Sequence, residues 1–233
     1  MEPELDAFLA AARIDDAVRV LRPDYRALLV AVSGVAPGPG DALSEAALAA
    51  AEASARQRGG AVEDDPRVAA WREAYRAFGA KPQRTRNSLE ALLRRADAGL
   101  PRVNRLTDLY NAVSVRHRIP IGGEDLNRYA GSPALVRAAG DEAFDTVAGG
   151  EDVVEHPEPG EVIWRDDAGV TCRRWNWRQG RRTALRDDTT AALFILDALD
   201  PLPDDELEAA ADDLVALVVE GAPDARVARR LVR

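Results

Sequence analysis

The chain has 233 residues, with 31 basic and 40 acidic side chains, a net charge of −9, 46% hydrophobic and 30% charged residues. Those proportions match a globular protein and exclude collagen-like, mucin-like and wholly disordered chains. One cysteine, Cys172, and two histidines, His117 and His156, exclude an intrachain disulfide and argue against zinc sites rich in cysteine or histidine. No metal and no cofactor is expected. No stretch approaches about 18 uninterrupted apolar residues. The opening MEPELDAFLA lacks the basic start and apolar core of a signal peptide. A cytoplasmic location without a membrane partner is therefore expected.

In chain order, residues 3 to 20 read as one helix with Leu5, Phe8, Leu9, Ala12 and Val20 inward. YRALLVAV (25 to 32) is an apolar run without helical period and reads as a strand. Residues 35 to 40 form a loop by proline and glycine content, and 42 to 57 an alanine-rich helix. Asp65-Pro66 opens a helix with Val68, Trp71, Tyr75 and Phe78 on one face. Asn87 and Glu90 have the spacing of a capping box before Leu89, Leu92 and Leu93. Residues 105 to 116 suit a helix with Leu106, Leu109, Tyr110 and Val113 inward.

After Pro120 the character changes. Gly122-Gly123 reads as a tight turn, Asp125 to Tyr129 as one helical turn with Asp125 as its cap, and 134 to 137 as a strand. EVIWRD, Asp167-Ala168-Gly169 and VTCRRWNW form the clearest hairpin, over 161 to 177. Further strands are expected at 182 to 186 and 190 to 197, and a helix at 204 to 219. Helices first, then strands, then one helix is an α+β order around a largely antiparallel sheet. The chain is read as a single domain over 1–233.

Charge is uneven. Residues 165 to 186 hold seven arginines and two aspartates, whereas 187 to 220 hold eleven acids and no base, which reads as solvated surface. In RRWNWR (173 to 178), strand alternation puts Arg174, Asn176 and Arg178 on one face and Trp175 and Trp177 on the other. Such a polar face suits a carboxylate, phosphate or acyl oxygen. Its bland counterpart is a surface whose arginines pair with nearby acids. Asn111 lies mid-helix, where asparagine forms helix poorly, so its amide needs either loop backbone or a ligand. No nucleophile elbow, Walker loop or dinucleotide fingerprint is present. Cys172, in a strand, reads as a small buried hydrophobe. Hydrolysis here would rest on positioning and electrostatics.

The runs WREAYRAFGAKPQRTRNSLEALLRRADAGLPRVNRLTDLYNAVSVRHRIPIGGEDL (71 to 126) and GEVIWRDDAGVTCRRWNWRQGRRTALRDDTTAALFILDAL (160 to 199) resemble the free-standing B3/B4 domain proteins. These in turn are similar to the B3/B4 editing region of the phenylalanyl-tRNA synthetase β subunit. The resemblance covers about 66 to 220, with 1 to 60 an extension or part of the same domain. It implies an α+β fold with a pocket between sheet and loops, and hydrolysis of the ester of wrongly charged tRNA, notably tyrosyl-tRNA.

Carried over residue by residue, Asn111 corresponds to the asparagine of the synthetase TNYV segment and Asp125 to the aspartate of PLHAFD. Gly122 stands where that segment has histidine, and 173 to 178 where the synthetase has GIMGG. Asp197 stands where a glutamate reads the tyrosine hydroxyl. The replaced histidine and the bulkier RRWNWR mean that tyrosine selectivity is not inherited. The resemblance implies a trans-acting aminoacyl-tRNA deacylase. In it Asn111, Gly122 and Gly123 would position carbonyl and water, and Ser114, Asp125, Arg174, Asn176, Arg178 and Asp197 would bind substrate. The alternatives are a noncatalytic module that is tRNA-related or binds a free amino acid or small carboxylate, and an interaction domain without a ligand. The expected partner is aminoacyl-tRNA or an amino-acid-like ligand; no DNA partner is expected.

Overall fold

The computed structural model describes residues 4–233. The first half runs α1 (Leu5–Ala10), β1 (Arg13–Ile14), α2 (Asp16–Leu21), β2 (Arg26–Ser33), α3 (Ala42–Arg58), α4 (Pro66–Ala77), α5 (Ser88–Arg95) and α6 (Arg105–His117). The second runs β3 (Ile121–Asp125), β4 (Ala134–Arg137), β5 (Phe144–Ala148), β6 (Glu151–Glu155), β7 (Val162–Arg165), β8 (Val170–Arg173), β9 (Arg178–Gln179), β10 (Ala191–Ala198), α7 (Asp204–Val219) and β11 (Arg226–Val232). Among the described residues no helix is long and apolar enough to cross a membrane.

Two sheets build the molecule, ordered β1-β4-β7-β8-β9 and β11-β2-β10-β3, beside the small hairpin β5-β6. Apart from the parallel pair β1–β4, all pairings are antiparallel, so the α+β, largely antiparallel expectation holds. β2 and β10 are buried along their whole length. Ala27, Leu29, Ala31, Leu193 and Ile195 face Leu135, Trp164 and Cys172 of the other sheet. Leu28, Val30, Val32, Phe194 and Leu196 face α6 and α7. Burial on both faces is why YRALLVAV shows no polar alternation.

Several expectations need correction. The helix over 3 to 20 is two helices separated by β1; Pro3 lies outside the described residues. The Asp15 carboxylate accepts the Ala17 N–H and starts the second helix afresh, and Val20 is 82% exposed. Asn87 does cap α5 through the Glu90 N–H at 2.9 Å. The Glu90 carboxylate leaves the box incomplete and instead accepts from Arg72 at 2.7 Å and Arg94 at 3.0 Å.

Gly122-Gly123 is no turn. Both lie inside β3, opposite Ile195 and Phe194. A Cβ at 123 would sit 2.7 Å from both Tyr110 Cε1 and Leu185 Cδ1, so close packing requires the glycine. Residues 182 to 186 form only a single bridge, Ala184 to Glu124.

The hairpin strands end at Arg165 and Arg173. Beyond them Arg174 and Trp175 adopt left-handed φ of 47° and 69°, and the Trp177 N–H returns to the Arg173 carbonyl at 3.0 Å. Strand alternation therefore stops at Arg173, and Arg174, Asn176 and Arg178 do not share a strand face. No strand was expected at β1, β5, β6, β9 or β11.

Candidate functional site

Between the two sheets lies a cavity of about 210 Å³. Strand period explains its floor: Gly122 and Glu124 share a face of β3, and Ile195 and Asp197 share the matching face of β10. Trp164 and Cys172 close it from the opposite sheet. Trp175 and Asn176 of the turn, with Tyr110 and Asn111 of α6, complete the wall. Ser88, Trp177, Arg178 and Gln179 are half-buried and form the mouth.

Two carboxyls mark its ends. Glu124 pairs with Leu193 and Asp197 lies four residues further along β10; at about 3.3 Å per residue they are roughly 13 Å apart along the strand. Asp197 is 2% exposed. Its Oδ1 accepts from the Tyr25 hydroxyl at 2.5 Å and Oδ2 from the Asn176 amide at 3.2 Å. The Asn176 carbonyl oxygen accepts from the Tyr75 hydroxyl at 3.0 Å. Burial raises the Asp197 pKa to about 7 despite the opposing effect of the Tyr25 and Asn176 donors.

Glu124 is fully buried. One oxygen accepts from the Tyr129 hydroxyl, while the other, Oε1, is buried without a partner. Burial likewise raises its pKa to about 7, with the Tyr129 bond acting in the opposite sense. A carboxyl that titrates near neutrality beside a cavity can take and return a proton. Burial pushes the Cys172 thiol well up, which disfavours the thiolate.

Of the expected site residues, Asn111, Gly122, Asn176, Arg178 and Asp197 line this cavity. The Asn111 side chain makes no hydrogen bond among the described residues and remains available. Gly123 does not line the cavity; its carbonyl accepts from the Gln179 amide at 2.8 Å and so holds a residue of the mouth. Ser114 and Asp125 do not line it. The Ser114 hydroxyl donates to the Ile119 carbonyl at 2.7 Å. Asp125 caps the 3-10 turn at Leu126–Arg128 and accepts from Thr189 Oγ1 at 2.9 Å.

Arg174 lines a neighbouring hollow instead, and its guanidinium donates to Thr85 Oγ1 at 2.5 Å. The arginines do pair with acids. Arg173 is held by Glu161 at 2.8 and 2.9 Å and by Glu155 at 2.9 Å, and Arg178 by Glu155 at 2.7 Å. Arg174 and Arg178 also stack on the Trp177 ring at 4.5 and 4.8 Å. Pairing and a cavity thus coexist.

Sequence reasoning missed Glu124, Tyr129, Gln179 and Tyr25. The signal for Glu124 was available: once IGGED is a strand, Gly122 and Glu124 share one face.

The chain belongs to the B3/4 domain family, whose profile matches residues 70–222. Among curated proteins none matches it. Among solved structures, an N-terminal fragment of the phenylalanyl-tRNA synthetase β-subunit from Pyrococcus horikoshii is similar, at 10% identity and a TM-score of 0.44, over 93% of this chain and 49% of that one. The chain spans about half the length of that fragment.

Proposed function

We propose that the chain is a trans-acting deacylase that hydrolyses the ester of mischarged aminoacyl-tRNA. One observation carries this reading: the cavity is acidic within, through Asp197 and Glu124, and the one cation among its described lining residues, Arg178, stands at the mouth. An aminoacyl ester has a cationic amine and no free carboxylate, with phosphates further along the nucleic acid. A free amino acid would carry its carboxylate into the same interior, where Asp197 and Glu124, once ionised above about pH 7, oppose it by like charge.

In this reading Asp197 and Asn176 hold the ammonium end. The Asn111 amide donates to the carbonyl oxygen as negative charge develops on it. Glu124 takes a proton from the attacking water as oxygen bonds to the carbonyl carbon. The ester C–O bond then breaks, and the ribose oxygen recovers a proton from Glu124. The Trp164, Trp175 and Tyr110 surfaces suit an apolar side chain.

The test is incubation with a panel of mischarged tRNAs. Hydrolysis above the spontaneous rate for at least one is expected; none for any of them overturns the proposal. The second reading, a noncatalytic module for a small carboxylate, draws on Arg178 at the mouth. It requires free amino acids to raise the melting temperature according to RT ln(1 + [L]/Kd), without ester hydrolysis.

A further inference from the structure

Beside the cavity, across the Arg174–Trp175–Asn176 turn, lies a second hollow of about 290 Å³. Lys81, Arg84, Thr85, Glu158, Glu161 and Arg174 are among its lining residues. The loop over 79 to 87 that joins α4 to α5 supplies three of them. Pro82, Thr85 and Asn87 are buried, whereas Lys81, Gln83, Arg84 and Arg86 are exposed. The buried residues fix the loop, so its cations are presented from a firm base. The Ser88 N–H donates to the Asn176 carbonyl at 3.0 Å, tying the loop's end to the cavity mouth.

The charge balance here is unusual for a chain of net −9. Nearby arginines are neutralised: Arg72 and Arg94 by Glu90, Arg173 by Glu161, and Arg178 by Glu155. Lys81 and Arg84 form no ion pair among the described residues, and the loop over 79 to 87 contains no acid. Arg174 points into the same hollow with a guanidinium shared between Glu161 at 3.5 Å and Thr85. A compact ammonium and a planar fork on an otherwise acidic surface suit an anion with several oxygens. Glu158, on the rim, opposes it.

We propose that this hollow grips a phosphodiester of a single-stranded RNA 3′ end, with Lys81 and Arg84 as its principal contacts. The proposal rests on the deacylase reading and adds the means by which an acidic protein engages nucleic acid: a local cationic subsite next to the acyl cavity. Net charge alone would repel the RNA.

The experiment is fluorescence anisotropy with an uncharged RNA hairpin ending in single-stranded CCA, over a salt series. The Lys81→Ala, Arg84→Ala double variant is expected to melt like the parent, because both side chains are exposed and unpaired. It should bind about tenfold more weakly, and its log K against log salt slope should be shallower by about 1.4, or 0.7 per lost contact. Glu158→Gln should bind more tightly. Unchanged affinity and slope in the double variant, or no binding by the parent at low salt, overturns the proposal. RNA binding that depends on the loop, without ester hydrolysis, supports this subsite and sinks the deacylase reading. Hydrolysis with an unaltered KM in the double variant does the reverse.

Discussion

The Tyr25 hydroxyl donates to Asp197 Oδ1 at 2.5 Å, across 172 positions of chain. It fills from within the place where the family likeness puts a substrate's phenol. The ring lies edge-on to Trp175 at 4.9 Å, and Trp175 to Trp71 at 5.5 Å, so the phenol is fixed by packing as well as by its bond. Each Asp197 oxygen already accepts one internal hydrogen bond, from Tyr25 and from Asn176, which leaves the carboxyl with one further acceptor site on each oxygen.

The two raised carboxyls give stability an inverted pH dependence near neutrality. An unfolded Asp197 loses its proton near 3.8 and the folded one near 7. Between those values the folded state holds the extra proton, so stability falls as pH rises and levels off above about 7. The slope is at most about 1.4 kcal/mol per pH unit for each such group. Urea midpoints at pH 5.5 and 7.5 should favour the lower pH. Asp197→Asn should roughly halve the difference, leaving the share of Glu124. A parent protein equally stable at both values would contradict this.

Glu124→Gln should fold, since the shape is kept, and should lower deacylation by about 10²- to 10⁴-fold. The parent rate should rise with pH through about 7 as Glu124 ionises, and the variant should lose that limb. Because the Tyr129 donor lowers the Glu124 pKa, Tyr129→Phe should move the limb to higher pH. Single-turnover rates between pH 5.5 and 8.5 provide the check.

The two neighbouring glycines should differ. Gly123→Ala drives a methyl into Tyr110 and Leu185 at 2.7 Å, an overpacking worth about 1–3 kcal/mol. Gly122→Ala meets only the end of the flexible Gln179 side chain at 3.0 Å. It should keep its stability while displacing Gln179 and altering the cavity. Denaturant unfolding of both variants, with ligand or substrate affinity for the second, separates them; equal loss of stability would count against the packing argument.

Glu161→Gln should cost stability in the range of about 3–5 kcal/mol known for broken buried pairs, towards the lower end because Glu155 still faces Arg173. Glu161 also accepts the Arg174 N–H at 3.1 Å. The turn that carries Trp175 and Asn176 should loosen with it, visible as faster amide exchange at 174 to 177.

Much of the architecture was legible. Aspartate and asparagine caps marked α4 and α5, the unbroken apolar runs marked β2 and β10, and Gly169 marked the β7–β8 hairpin. Asn111, Asn176 and Asp197 were singled out and do line one cavity. What escaped depended on distant partners. RRWNWR has the composition of a strand, but Trp175 is drawn into the Tyr25–Trp71 cluster, and the backbone turns over to reach it. Gly-Gly carries the same local signal in a turn as in a crowded strand; only Tyr110, thirteen positions away, decides. Glu124 reads as surface until β3 is paired. The acidic run over 187 to 220 is mostly solvated, yet Asp197 within it is held inside by β10.

Strands β2 and β11, which flank β10 on one side in the four-stranded sheet, lie outside the family segment, as does Tyr25. A fragment trimmed to 70–222 would leave one flank of β10 with unmatched amide and carbonyl groups, a ready template for intermolecular pairing. It would also strip the phenol from Asp197. The span matched by the family profile is shorter here than the span that completes the sheet, and an expression plasmid designed on the former should deliver inclusion bodies.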